Sequence, residues 1–242
     1  MLVTYSDIRT GLLHMDPTSQ YVYMSHLRRI GLEDGHDYEI YDVVQRIKAI
    51  PNVNSRRTVA IALRSMFPEL KPYVKIEKSL PRHYDLSGIP EKLEACPDTP
   101  RYIPMRLMAY GGLRVGEAVA ITHRDLVGQT LAVSKSRNNW GVMKGTKGAS
   151  GNVVIPRWLA DSLAGYEGTL VLPRSYYRWL KRHTGMIPHA LRHYYATELI
   201  RSGASPELVR RQLRHTNLAT TLQVYAQVES SDIESTIERV FA

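Results

Sequence analysis

Two short β-type runs, Thr130-Leu-Ala-Val-Ser134 and Asn152-Val-Val-Ile-Pro156, face each other across an interval rich in lysine and glycine. Apolar, β-branched stretches bounded by turn residues pair as an antiparallel hairpin. Most other apolar residues recur at helical spacing. The expected fold class is therefore mainly α with a small antiparallel β-sheet (α+β), a small helical N-terminal domain preceding a larger mixed one.

Residues 1–75 carry helical patterns over Thr4–Leu13, Asp16–Arg29, Tyr41–Ile50 and Asn54–Phe67, with Gly31, Gly35 and Pro51 as punctuation. They read as an all-helical module. In its last helix Val59, Ala60, Leu63 and Met66 form an apolar stripe, which leaves Arg56, Arg57 and Arg64 to solvent or phosphate. Residues 76–84 have the polarity and the proline of a linker. In 85–242, Pro104–Tyr110 and Val115–Ile121 flank a Gly-rich turn, one hairpin spans 130–156, and helices follow over Ser175–His183 and 189–200. Ser205-Pro206-Glu207 starts another, with a capping hydroxyl, a proline in the first turn and an acid at the positive end of the dipole. Thr216 or Asn217 then caps a short helix that carries Tyr225.

The chemistry gathers in the last quarter. In His189-Ala-Leu-Arg192-His193, His189 and Arg192 stand three residues apart on one helix face, so both can point at a single phosphate. Arginine offers a planar fork of donors to phosphate oxygens, and imidazole can donate a hydrogen bond or move a proton near neutral pH. His215 follows in Leu213-Arg-His215, then Tyr225, a phenol that cationic neighbours would favour as phenolate. Upstream, Gly111-Gly-Leu-Arg114-Val-Gly-Glu117 adds a second arginine, with Glu117 placed to orient that arginine or its helix.

These motifs in this order resemble the tyrosine recombinase (phage integrase) family, over most of 85–242. The resemblance implies that Arg114 and Arg192 bind a scissile phosphate, with His189 and His215 beside them. Tyr225 would form a covalent 3′-phosphotyrosyl link to DNA, and neither metal, ATP nor other cofactor is implied. It also implies a hairpin lysine as general acid for the leaving 5′-oxygen. Lys135, Lys144 and Lys147 are available there. Lys147, nearest the returning strand, is the first choice and Lys144 the second, Lys144 also being a candidate DNA contact. The interval departs from the family pattern in being Gly-rich and lacking an arginine before the strand.

The same resemblance makes 1–75 a core-binding domain that clamps double-stranded DNA at short core sites, with 85–242 catalytic. It further implies a homotetramer in the synaptic complex, a monomer or weak oligomer when free, and a tail helix, 231–242, packing on a neighbouring protomer; packing on its own domain is the plainer alternative. The function expected is site-specific recombination by a simple phage or mobile-element integrase without an arm-binding domain. An Xer-like dimer-resolving recombinase is the alternative. A type IB topoisomerase-like enzyme and a non-catalytic DNA-binding regulator are the other classes.

Each of these residues also has a plainer explanation. A lone Arg or Lys is ordinarily a solvated charge, and Tyr225 is one of 15 tyrosines. His189 and His193 have the spacing of a helical metal site, but Ala190 stands where a metalloprotease motif needs Glu, and the single cysteine, Cys96, is distant. A net charge of +9 suits a polyphosphate partner. One cysteine excludes an internal disulfide and fits a reducing cytosol. Neither a signal peptide nor a membrane span is legible, so a cytoplasmic, nucleoid-associated protein is expected.

Overall fold

The computed structural model describes residues 2–4, 10, 12–15, 17–33, 36–66, 70–78, 84–146, 150–222 and 224–225. The chain divides into two compact units, residues 1–83 and 84–242. The fold is mainly α-helical with small antiparallel sheets.

In the first unit β1 (Leu2–Thr4) pairs with β2 (Asp37–Glu39), Val3 opposite Tyr38, and the helices are α1 (Pro17–Arg29), α2 (Ile40–Lys48) and α3 (Val53–Met66). Leu27, Leu32, Val43, Ile47, Val59, Leu63 and Leu70 form its core. The unit is thus not all-helical. The helix expected to begin at Thr4 is replaced there by a strand, because a partner some thirty residues on can override local periodicity. Arg56 also departs from expectation. Its Nε and Nη2 donate to the two carboxylate oxygens of Glu77 at 2.5 and 3.0 Å, and its Nη1 donates to the Ile50 carbonyl at 2.6 Å. Arg57 donates to the Glu77 carbonyl at 2.7 Å. Both arginines fasten residue 77 onto α3, while Arg64 is half-buried.

The second unit begins with α4 (Ile89–Glu94) and α5 (Ile103–Gly111). Ile103, Met105, Leu107, Met108 and Ala109 are all buried, as in a helix packed on every side. α6 (Val115–Ala118) is a single turn rather than a helix to Ile121, since a second cap intervenes: Asp125 accepts from the backbone N–H and the hydroxyl of Thr122. β3 (Leu126–Val127), β4 (Thr130–Val133) and β7 (Gly151–Val154) form a three-stranded sheet, with Leu131 opposite Val153 and both buried. The expected hairpin over 130–156 is present as the β4–β7 pair, and β5 (Lys135–Arg137) and β6 (Met143–Gly145) form a second ladder nested within it.

α7 (Arg157–Ser162), α8 (Pro173–Thr184), α9 (Pro188–Arg201) and α10 (Pro206–Leu213) complete the scaffold, with residues 218–222 and 224–225 helical beyond them. The Ser205 hydroxyl accepts from the Leu208 N–H as an N-cap. Asn217, not Thr216, makes the next cap, its side chain accepting from the Ala219 N–H at 2.9 Å. α5 packs along α9, and Gly112 makes that contact possible. Its φ of 64° is left-handed, and a Cβ there would lie 2.6 Å from Tyr195 Cδ1 and 2.9 Å from Leu213 Cδ2.

Candidate active site: a buried cationic cluster

Arg114 is the N-cap residue of α6. The carboxylate of Glu117, one turn on, accepts from the Arg114 backbone N–H at 2.8 Å and from its Nη1 at 2.9 Å. One carboxylate thereby satisfies an orphan helix donor and orients a guanidinium. Glu117 is 1% exposed, while the Arg114 side chain remains 32% exposed. Gly116 lets the hairpin approach this turn: a Cβ there would sit 2.6 Å from Ser136 Oγ and 2.8 Å from the Arg137 carbonyl oxygen.

Arg192, on α9, is buried between two backbone carbonyls. Its Nη1 donates to Gly112 and its Nη2 to Leu213, the latter at 2.7 Å. Gly112 closes α5 and Leu213 ends α10, so a cation meets the negative ends of two helices. Gly112 stands two residues before Arg114 and Leu213 two before His215. Arg192 therefore clamps together the segments that carry those two side chains. Burial first, then the like charge of Arg114, pushes its guanidinium down to about 9, so it stays protonated at neutral pH.

His215 follows α10. Its Nδ1 lies 2.9 Å from the hydroxyl of Thr221, which is fully buried. Burial, with Arg192 and Arg114 as the largest of the neighbouring charges, pushes the imidazole down to about 4. His215 is thus neutral at pH 7, and Thr221 fixes which way its ring faces. His193 is likewise pushed down to about 4, by burial first and then by His189 and Arg192. Its ring lies 4.4 Å from that of Tyr84, a residue expected in the linker and found packed on this unit. His189, one turn earlier, is exposed and 6.5 Å from Tyr84.

Tyr225 lies elsewhere. Its hydroxyl donates to the Ala204 carbonyl, and its ring packs on the cluster of Ala196, Ile200, Val209, Leu213 and Val224. Ala204 precedes α10 and His215 follows it. Eight residues of helix rise roughly 12 Å, which separates the hydroxyl from the His215 end. The structure thus brings Arg114, Arg192 and His215 together, with His189 and His193 alongside, and holds Tyr225 apart.

Among the hairpin lysines, Lys135 pairs with Asp125 at 2.8 Å, on the strand face opposite Ser136. Lys144 is exposed and sits directly across from Ser136, hence on the face that meets α6. Lys147 lies outside the described residues, as does the tail 231–242. Among the described residues, no three His, Cys, Asp or Glu side chains converge to hold a metal ion, and no helix is long and apolar enough to cross a membrane.

Two residues of this site escaped sequence reasoning. Arg214, 2% exposed at its side chain, donates through Nη2 to Glu117 Oε2 at 2.5 Å. A basic residue at a helix end ordinarily reads as a solvated charge, so spacing gave no signal. Thr221 was equally silent, since a hydroxyl on a short helix marks nothing by itself. Three guanidiniums, Arg114, Arg192 and Arg214, face the single carboxylate of Glu117 in a largely buried space. The excess positive charge suits a phosphodiester, because shielding from water strengthens the attraction.

Comparison with known proteins agrees with this chemistry. The model of the phage integrase family matches residues 84–231. A tyrosine recombinase XerA of Thermococcus kodakarensis is 28% identical, over 90% of this chain and 87% of the relative. A tyrosine recombinase XerC of Vibrio cholerae is 27% identical over 63% of this chain and 56% of its own length. In fold, the chain resembles the Tn1549 transposon integrase in complex with circular intermediate DNA (TM-score 0.68, 14% identity, 98% of this chain and 100% of that one). It also resembles a lambda integrase dimer bound to a COC′ core site (TM-score 0.64, 16% identity, 93% and 95% covered).

Proposed function

The chain belongs to the phage integrase family of tyrosine recombinases, enzymes that break and rejoin DNA, and from that premise we propose that it is an Xer-type site-specific recombinase acting on two copies of a short double-stranded core site. The named relatives that match most of this chain carry the Xer designation, which favours dimer resolution over the phage or mobile-element integration expected from sequence.

The observation that carries the reading is the convergence of Arg114, Arg192 and His215 on one site with excess positive charge. Arg114 and Arg192 hold the non-bridging oxygens of the scissile phosphate and stabilise the charge that grows in the transition state. His215, neutral, donates a further hydrogen bond. Tyr225 leaves Ala204, attacks phosphorus and passes its proton to His189; the new bond is a 3′-phosphotyrosyl ester. The bond to the 5′-oxygen breaks as a hairpin lysine supplies its proton. Religation is the reverse reaction, with the 5′-hydroxyl of a second duplex as nucleophile. One phosphate ester replaces another at each step, so no external energy source is required. The first unit is a core-binding domain for the same DNA, Arg64 being the candidate contact there that is not tied to Glu77. A homotetramer brings two sites together, with the tail 231–242 docking in trans.

The test is a randomised pool of nicked duplexes, from which molecules covalently attached to the protein are recovered and sequenced. A Tyr225-dependent adduct, absent in Tyr225→Phe, is expected. An adduct that persists in that variant moves the nucleophile elsewhere, and no adduct from the wild type refutes cleavage. The recovered site, placed twice on one plasmid or on two, then separates resolution from integration and from simple relaxation. Deleting 231–242 lowers exchange more than single-site binding if the tail docks in trans, and leaves the exchange yield unchanged if it does not.

A further inference from the structure

Arg214 adopts φ 52° and ψ 46°, and among the described residues it is the only one other than glycine with positive φ. The Cβ crowds the following carbonyl oxygen in this left-handed backbone and makes it unfavourable, so the surroundings must enforce it. They include the two bonds that close α10, from the Arg214 N–H to the Arg211 carbonyl and from the His215 N–H to the Arg210 carbonyl, each 3.1 Å. The stem runs beside Gly151 on β7, where an added Cβ would make only ordinary contact, 3.6 Å from Arg214 Cγ and Cδ. The buried guanidinium reaches Glu117 across 97 residues of sequence, yet its Nε has no hydrogen-bond partner among the described residues. A strained backbone and an incompletely satisfied buried cation indicate a residue kept for something other than stability.

The carboxylate geometry shows what that is. Glu117 Oε2 is occupied by Arg214 and by the Arg114 backbone N–H, which leaves Oε1 for Arg114 Nη1. Arg114 therefore gives Glu117 one side-chain donor and not the two-donor fork that a guanidinium otherwise offers a carboxylate. Nη1 is the one side-chain nitrogen of Arg114 that bonds to the carboxylate. We propose that Arg214 is a positioning residue for Arg114: by holding the far oxygen of Glu117, it keeps the carboxylate from drawing the Arg114 guanidinium into a two-pronged pair and so leaves Arg114 free for a phosphate. This rests on the assignment of Arg114 to the scissile phosphate above.

The experiment measures the rate of covalent adduct formation and the affinity of the uncleaved complex, using the duplex recovered from the pool. Arg214→Gly accepts the left-handed backbone without strain while removing the charge. It is expected to form adduct roughly a hundredfold more slowly, with binding within about threefold of the wild type. Arg214→Lys restores a cation and is expected to recover roughly tenfold over glycine. Adding Glu117→Gln to Arg214→Gly removes the competing carboxylate charge, so the double variant is expected to be no slower than Arg214→Gly alone. Wild-type rates in Arg214→Gly overturn the proposal, as does a double variant slowed by the product of the two single effects. Parallel loss of binding and cleavage in the glycine and lysine variants assigns Arg214 a purely structural role and overturns it too. A wild type that forms no adduct refutes cleavage itself; an adduct formed equally by the wild type and Arg214→Gly refutes only the role of Arg214.

Discussion

The hydroxyl of Tyr225 donates to the carbonyl of Ala204, at the opposite end of α10 from His215. For Tyr225 to act as the proposed nucleophile on a phosphate at the proposed site of Arg114 and Arg192, the short helix that carries it would have to move before cleavage. Losing one hydrogen bond of roughly 1 kcal/mol loosens a local segment about fivefold. In Tyr225→Phe, the amides of residues 218–222 are therefore expected to exchange with solvent about fivefold faster than in the wild type, while those of α5 do not change. Equal exchange in both proteins shows that the hydroxyl does not hold the segment.

The two proposed phosphate-binding arginines respond differently to removal. Arg114 is a third exposed, so Arg114→Ala is expected to abolish adduct formation with little loss of stability. Arg192 is buried and satisfies two carbonyls, so Arg192→Ala also destabilises the fold, by about 2–4 kcal/mol. Denaturant titration of both variants checks the contrast. Equal stabilities contradict the bridging role of Arg192.

His215 and His193 both titrate near 4 in the folded protein, below the value of about 6.5 for a free imidazole. The unfolded chain binds protons more readily, so their contribution is complete above pH 6.5 and is lost as pH falls towards 4. Unfolding free energy is expected to fall between pH 6.5 and 4.5, and His215→Gln is expected to flatten that slope. A slope unchanged by the substitution removes His215 as its source. Thr221→Val removes the partner of Nδ1 and is expected to slow cleavage about tenfold, with Thr221→Ser near the wild type.

The general acid can be identified chemically. A substrate with a bridging 5′-phosphorothiolate has a leaving group that needs no proton. Of Lys135→Ala, Lys144→Ala and Lys147→Ala, the variant that is slow on ordinary DNA but restored on this substrate lacks the acid. Lys147 is the expected residue from sequence, and Lys144 is the one that the strand face turns towards α6. Restoration of Lys135→Ala alone reassigns the role to a lysine that must first leave Asp125.

Much of the catalytic unit was legible because its signals are local. Ser205 and Pro206 started α10, two short β-type runs placed β4 opposite β7, and the glycines before Arg114 marked a turn. The strand at Leu2–Thr4 was not, because its partner lies far along the chain and no local spacing encodes the pairing. Arg56 illustrates the same limit. On a helical wheel it faced solvent, and only the path of the chain to Glu77 revealed its bidentate partner.

The sequence by itself determined the family and nominated the candidate reacting groups, since motif order and residue chemistry are properties of the chain. Tertiary structure alone decided how those groups are arranged. Glu117 stands between Arg114 and Arg214, Arg192 joins the carbonyls of Gly112 and Leu213, and Tyr225 rests on Ala204. Burial is the physical reason: a charge or hydroxyl removed from water must find a partner, and packing settles which partner is within reach.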